Sequence, residues 1–267
     1  MTTMMESHTG QNSAPAPNTN PDDLGIDRAF VMSMARIPFI AVIWTMAAYA
    51  SHLVWAAFAP ADALPTSNYG PLVVLCFGMV LAAVIDGWAF KVPNWLTLSL
   101  VVSGWALGGL HTAGIPVDAG TGGIGNSLLC TMVGFFLLFP LLAIVGMGQG
   151  DVKMLMGFGS WIGAFFGGAN GVEILIWAFA LGAITGGLCG LVMMATRRKF
   201  KKNLSNFREI AVDLKVLATV GPNAAASRSS ARRPGWDRLP YGIPLCVGFL
   251  GYLAYLYMQG TLPGMWM

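Results

Sequence analysis

"PLVVLCFGMVLAAVID", residues 71–86, carries no charge until its final position. As a helix rising about 1.5 Å per residue, it approaches the ~30 Å thickness of a bilayer's hydrocarbon core. Lipid offers no partners to backbone N–H and C=O groups, so a run of this kind is stable there only as a helix that satisfies them internally. Comparable runs lie at 37–58, 95–110, 125–146, 153–168, 172–195 and 240–258. Together they predict an all-α, polytopic transmembrane helix bundle of about seven spans, with six and eight as the bounds.

Composition agrees. The 267 residues are 55% hydrophobic and 10% charged, with a mean hydropathy of +0.64, too apolar for an ordinary soluble domain. Residues 1–35 differ, being rich in Ser, Thr, Asn and Pro, and read as a disordered polar cytoplasmic tail. Residues 36–195 form the expected bundle, 196–239 a basic cytoplasmic loop, and 240–267 the final span with the C-terminus. Within the loop, Phe200, Leu204, Phe207, Ala211, Leu214 and Ala218 recur at helical intervals. They predict an amphipathic helix, either lying on the anionic inner leaflet or packed against the bundle.

If the spans alternate in direction, all 15 Lys and Arg fall in 1–36, 87–94, 147–153 and 196–239. Basic residues accumulate on the cytoplasmic side, so the N-terminus is expected in the cytoplasm and the C-terminus outside. The net charge of +3 is then topological and gives no ground for a nucleic-acid partner. Membrane lipids are the expected surroundings.

Most carboxylates lie in the tail or the cytoplasmic loop, and Asp62, Asp118 and Glu173 fall to the outer side. Asp86 and Asp151 remain, one closing an apolar run and the other opening one. Two crossings separate them, which brings both to one rim. A carboxylate at membrane depth is costly and marks a functional candidate, while a helix-end charge that reaches water is the plainer alternative. Two close aspartates share a proton, and one then activates water while the other protonates a carbonyl oxygen, the chemistry of peptide hydrolysis.

Other chemistries find little material. His8, His52 and His111 lack metal-ligand spacing, so no metal site is expected and no cofactor is implied. Cys76, Cys130, Cys189 and Cys246 are isolated within spans and read as small buried hydrophobes. Beside Asp151, Gly148 and Gly150 leave room for an extended substrate backbone. Lys153 is either a rim anchor or a residue that tunes the carboxylates. Gly157, Gly159 and Gly163, then Gly182, Gly186 and Gly190, read as close helix packing.

"GQGDVKM" from Gly148, "DGWAFKVPNWLT" from Asp86 and "LPYGIPLCVG" at 239–248 resemble, in this order, three motifs of the type IV prepilin peptidases, which are GxGD aspartyl proteases. The resemblance implies Asp86 and Asp151 as catalytic residues, with Gly148, Gly150, Lys153, Pro93 and Asn94 supporting or contacting substrate. It also implies removal of the basic leader from prepilins, ahead of their hydrophobic helix, at the cytoplasmic face of a bacterial inner (plasma) membrane, alongside pilus or secretion machinery. Longer members carry a cytoplasmic insert with paired cysteines and also N-methylate the product. This chain lacks that insert and is similar to the short, peptidase-only branch serving Flp (tight-adherence) pili. An ion-coupled transporter and a non-catalytic pilus or secretion scaffold stand as the alternatives.

Overall fold

The computed structural model describes residues 28–58, 68–115, 122–145, 148–196, 212, 215–216, 219 and 240–262. Its elements are α1 (Arg28–Phe58), α2 (Gly70–Ala89), α3 (Asn94–Thr112), α4 (Ile124–Val145), α5 (Gln149–Thr196) and α6 (Gly242–Met258). No strand occurs among the described residues. α1 starts at Arg28, inside the segment expected as tail, and residues 1–27 and nearly all of the 196–239 loop lie outside the described residues.

The expected count of about seven spans exceeds the six helices among the described residues. Two anticipated spans, 153–168 and 172–195, are limbs of the single element α5, which breaks at Gly167 (φ 77°, ψ −177°). That backbone region is essentially closed to residues with a Cβ, so the glycine permits the reversal. Beyond it the limbs run antiparallel. A Cβ on Gly171 would lie 3.4 Å from Gly163 Cα, and one on Gly159 would lie 3.4 Å from Leu175 Cδ1.

Among the described residues, four helical stretches are long and apolar enough to cross a membrane: Met34–Phe58, Gly70–Ala89, Ile124–Leu142 and Gln149–Met193. α6 is shorter, and α3 is diluted by Asn94, Ser99, Ser103 and His111. Large apolar side chains such as Phe39, Val42, Val84 and Ile184 face outward, as expected of a surface solvated by lipid.

The interior is built around the first limb of α5. Trp161, fully buried, donates its indole N–H to Leu100 O (2.9 Å) and Ser103 Oγ (3.0 Å) of α3. Ser127 Oγ of α4 donates to Ser160 O at 2.7 Å. Small residues let these backbones approach: Gly159 and Gly163 abut the backbone of α4 at Cys130 and Asn126. Gly182 of the second limb meets Gly248 of α6 in the same way. Gly190, expected to pack closely, has nothing within 4 Å of where a Cβ would sit.

These contacts fix the directions of the helices. α1 and α2 are antiparallel, with Trp44 near Gly78 and Ser51 near Gly70. α3 is parallel to the first limb of α5, and α4 is antiparallel to that limb. The second limb is antiparallel to α6. The end of α2 and the starts of α3, α5 and α6 therefore meet at one rim.

Candidate active site

Asp86 occupies the last turn of α2. The helix ends when Phe90 turns left-handed (φ 51°, ψ 30°) and returns its N–H to Asp86 O at 2.8 Å. A positive φ is uncommon for a residue with a side chain, and it turns the chain sharply. Pro93, extended at φ −72° and ψ 143°, then starts α3, its carbonyl accepting from Leu96 N–H at 3.1 Å. Since proline has no N–H to leave unpaired and a preset φ, it suits this position. The stretch from Asp86 to Asn94 is thus a rigid corner, with its carboxylate on one side and Val92 buried inside.

Asp151 lies in the first turn of α5, its N–H directed to Gly148 O at 3.2 Å. Its side chain folds back over Gly148, where a Cβ would lie 3.0 Å from Asp151 Oδ2. The space beside Gly150 is filled from the other motif, since a Cβ there would lie 3.2 Å from Val92 Cβ and 3.3 Å from Val92 N. Gly148 thus leaves room for the Asp151 carboxyl, and Gly150 for Val92 in the corner that carries Asp86. Lys153 also joins the motifs: its Nζ donates to Asn94 Oδ1 at 2.9 Å, linking the starts of α5 and α3.

α6 supplies a third part that the sequence-level list of site residues lacked. Gly242 N–H donates to Asp86 Oδ2 at 2.8 Å, across 156 positions of chain. A side chain would not fit there, because a Cβ would lie 2.8 Å from that same oxygen. Tyr241 sits beside it, with its ring against Gly186 of α5. The signal for these residues was "LPYGIPLCVG", which marks a helix start but does not say what that start touches.

Asp86 and Asp151 are 5% and 6% exposed, and the contact of Gly150 with Val92 and the bond from Lys153 to Asn94 bring the segments that carry them together. Pro93, Asn94, Gly148, Gly150 and Lys153 lie at the same rim, Pro93 and Asn94 through the α2–α3 corner and the others at the start of α5. Of the histidines, His52 and His111 lie elsewhere: His52 Nδ1 is 2.7 Å from Asn68 Nδ2, and His111 Nδ1 is 3.2 Å from Gly122 O. Chemically, two sheltered carboxyls that meet can hold one proton between them and pass it through a water molecule.

Among known families, a model described as "Type IV leader peptidase family" matches residues 73–191, a range that contains both aspartates. No curated protein and no solved structure matches the chain.

Proposed function

We propose that this chain, which through its residues 73–191 belongs to the type IV leader peptidase family, uses Asp86 and Asp151 as an aspartyl dyad to remove the leader of type IV or Flp prepilins. The family makes it a peptidase, and its apolar helices make it an integral membrane protein. The observation that carries the finer reading is the convergence of two buried carboxyls, 65 positions apart (151 − 86), at one rim of the bundle.

In this reading the ionised carboxyl takes a proton from water as the water oxygen attacks the scissile carbonyl carbon. The protonated carboxyl gives its proton to the carbonyl oxygen, forming a tetrahedral gem-diol. The C–N bond then breaks. The leaving nitrogen takes a proton from the dyad while a diol hydroxyl returns one, which regenerates both the carbonyl and the starting protonation. Gly242 N–H, fixed on Asp86, orients one carboxyl throughout. A donor already in place costs no reorganisation during reaction.

The rim location suits a substrate that presents a cleavage bond just outside its own membrane helix. Arg36, Lys91 and Lys153 stand at or near the same end of the bundle, which supports a cytoplasmic placement by the distribution of positive charge. The absence of a cysteine-bearing insert in the sequence supports a peptidase without the accompanying methylation.

Co-expression with a candidate prepilin tests the assignment. Leader loss in the wild type is expected to disappear in Asp86→Ala and in Asp151→Ala while each variant still inserts in the membrane. Leader loss that continues in both variants refutes it.

A further inference from the structure

The outward side of α2 is a single stripe. Val73, Phe77, Val80 and Val84 recur every three or four residues with their side chains exposed, and the next place on that stripe is Trp88. Asp86 is buried on the other side of the helix, because two residues at about 100° each reverse the direction in which a side chain points. Trp88 therefore stands outside the bundle at 88% exposure, only about 3 Å of helix rise beyond Asp86.

The corner that follows is open in the same way. Ala89, Phe90 and Lys91 are exposed, and so is Trp95 at the start of α3. Phe90 takes the left-handed conformation (φ 51°, ψ 30°) that bulky residues rarely adopt, yet its side chain is half exposed and takes no place in the core. Helix packing brings a second cation to this level. The Ser51–His52 peptide of α1 lies against Gly70 of the antiparallel α2, so counting residue for residue toward the rim puts Arg36 level with Asp86. Arg36 and Lys91 are exposed, and among the described residues no ion pair engages either, whereas Lys153 is held by Asn94.

Exposed indole and phenyl rings with free cations beside them suit the boundary where acyl chains meet headgroups. Aromatic rings are enriched at that depth, and an anionic leaflet attracts Lys and Arg. The patch is also continuous with the outward stripe of α2, so the lipid that solvates the stripe extends to the corner. We propose that the α2–α3 corner anchors the protein to anionic phospholipid: Trp88, Phe90 and Trp95 sit at the headgroup boundary, Lys91 and Arg36 take lipid phosphate, and the turn that carries Asp86 is held at one depth in the bilayer. The anchor stands whether or not the two carboxyls cut a leader.

The test uses the purified full chain in vesicles of phosphatidylcholine, or of phosphatidylcholine mixed with phosphatidylglycerol. Trp88 is isolated as the difference in fluorescence between the wild type and Trp88→Phe. Lipid brominated high on the acyl chain, near the headgroup, is expected to quench that difference more than lipid brominated near the chain end. Brominated phosphatidylglycerol should quench it better than brominated phosphatidylcholine. Lys91→Gln should reduce that preference about fivefold, the attraction one cation feels at an anionic surface, while Lys91→Arg retains it. Equal quenching by the two headgroups overturns the proposal. So does quenching by aqueous iodide in place of lipid bromine, which marks a surface facing water and open to a protein partner. Protection from both quenchers in a cross-linked dimer overturns it as well, and gives the surface to a second copy of the chain.

Discussion

Gly242→Ala adds one methyl group at the tightest point of the site. Its carbon would lie 2.8 Å from Asp86 Oδ2, 3.0 Å from Asp86 Cβ and 3.1 Å from Cγ. Comfortable carbon contacts are about 3.5–4.0 Å, so the two groups must separate by roughly half an ångström or more. Neither side yields freely. Asp86 is buried in the last turn of α2, and α6 is pinned where Gly248 meets Gly182 and Ala178. Overpacking of this kind costs about 1–3 kcal/mol. Stretching the N–H bond to a carboxylate forfeits part of a contact worth about 1.5–3 kcal/mol. A misplacement near 1 Å at a reacting group costs on the order of 10²-fold in rate, so half that displacement predicts a fall of about tenfold in kcat. Steady-state leader cleavage by purified protein measures it, with KM expected to hold. Gly251→Ala, on the same helix with nothing within 4 Å of its Cβ position, is the control and should be silent. Wild-type turnover in a correctly inserted Gly242→Ala chain would show that the clamp on Asp86 is irrelevant to activity.

Asp86→Asn and Asp151→Asn each keep the side-chain volume and remove a titrating group; turnover should drop by about 10³-fold or more in both, read as persistence of unprocessed substrate on gels. Gly167→Ala forces a Cβ into a backbone region reserved for glycine (φ 77°, ψ −177°), so loss of about 1–3 kcal/mol in denaturant unfolding is expected, whereas unchanged stability would contradict the reversal of α5 at this residue. Gly150→Ala should be destabilised by about 1–3 kcal/mol in thermal unfolding, because its new Cβ would lie 3.2 Å from Val92 Cβ and 3.3 Å from Val92 N; unchanged stability would deny the contact. Trp161→Phe loses the buried donor to Leu100 O and Ser103 Oγ and should cost about 1–3 kcal/mol, measured by thermal unfolding in detergent.

Local chemistry made much of this protein readable from its residues alone. Uncharged runs such as 71–85 become helices because lipid leaves the backbone no other partner, and Asp86 and Asp151 stand out because a carboxylate among such residues is expensive. The joining of 153–168 and 172–195 into one reversed helix was not readable, because hydropathy sees two apolar runs and cannot tell a loop from a turn made by the backbone of Gly167. Nor could spacing reveal that Gly150 fits against Val92, or that Gly242 reaches Asp86. Glycines are plentiful here, and which of them face a neighbour depends on how the helices are rotated and crossed. Periodicity and composition act over a few turns of one helix, so they determined the spans and the acidic candidates. The donor on Asp86 belongs to a residue 156 positions away, and only the packing of α2, α5 and α6 could bring it there.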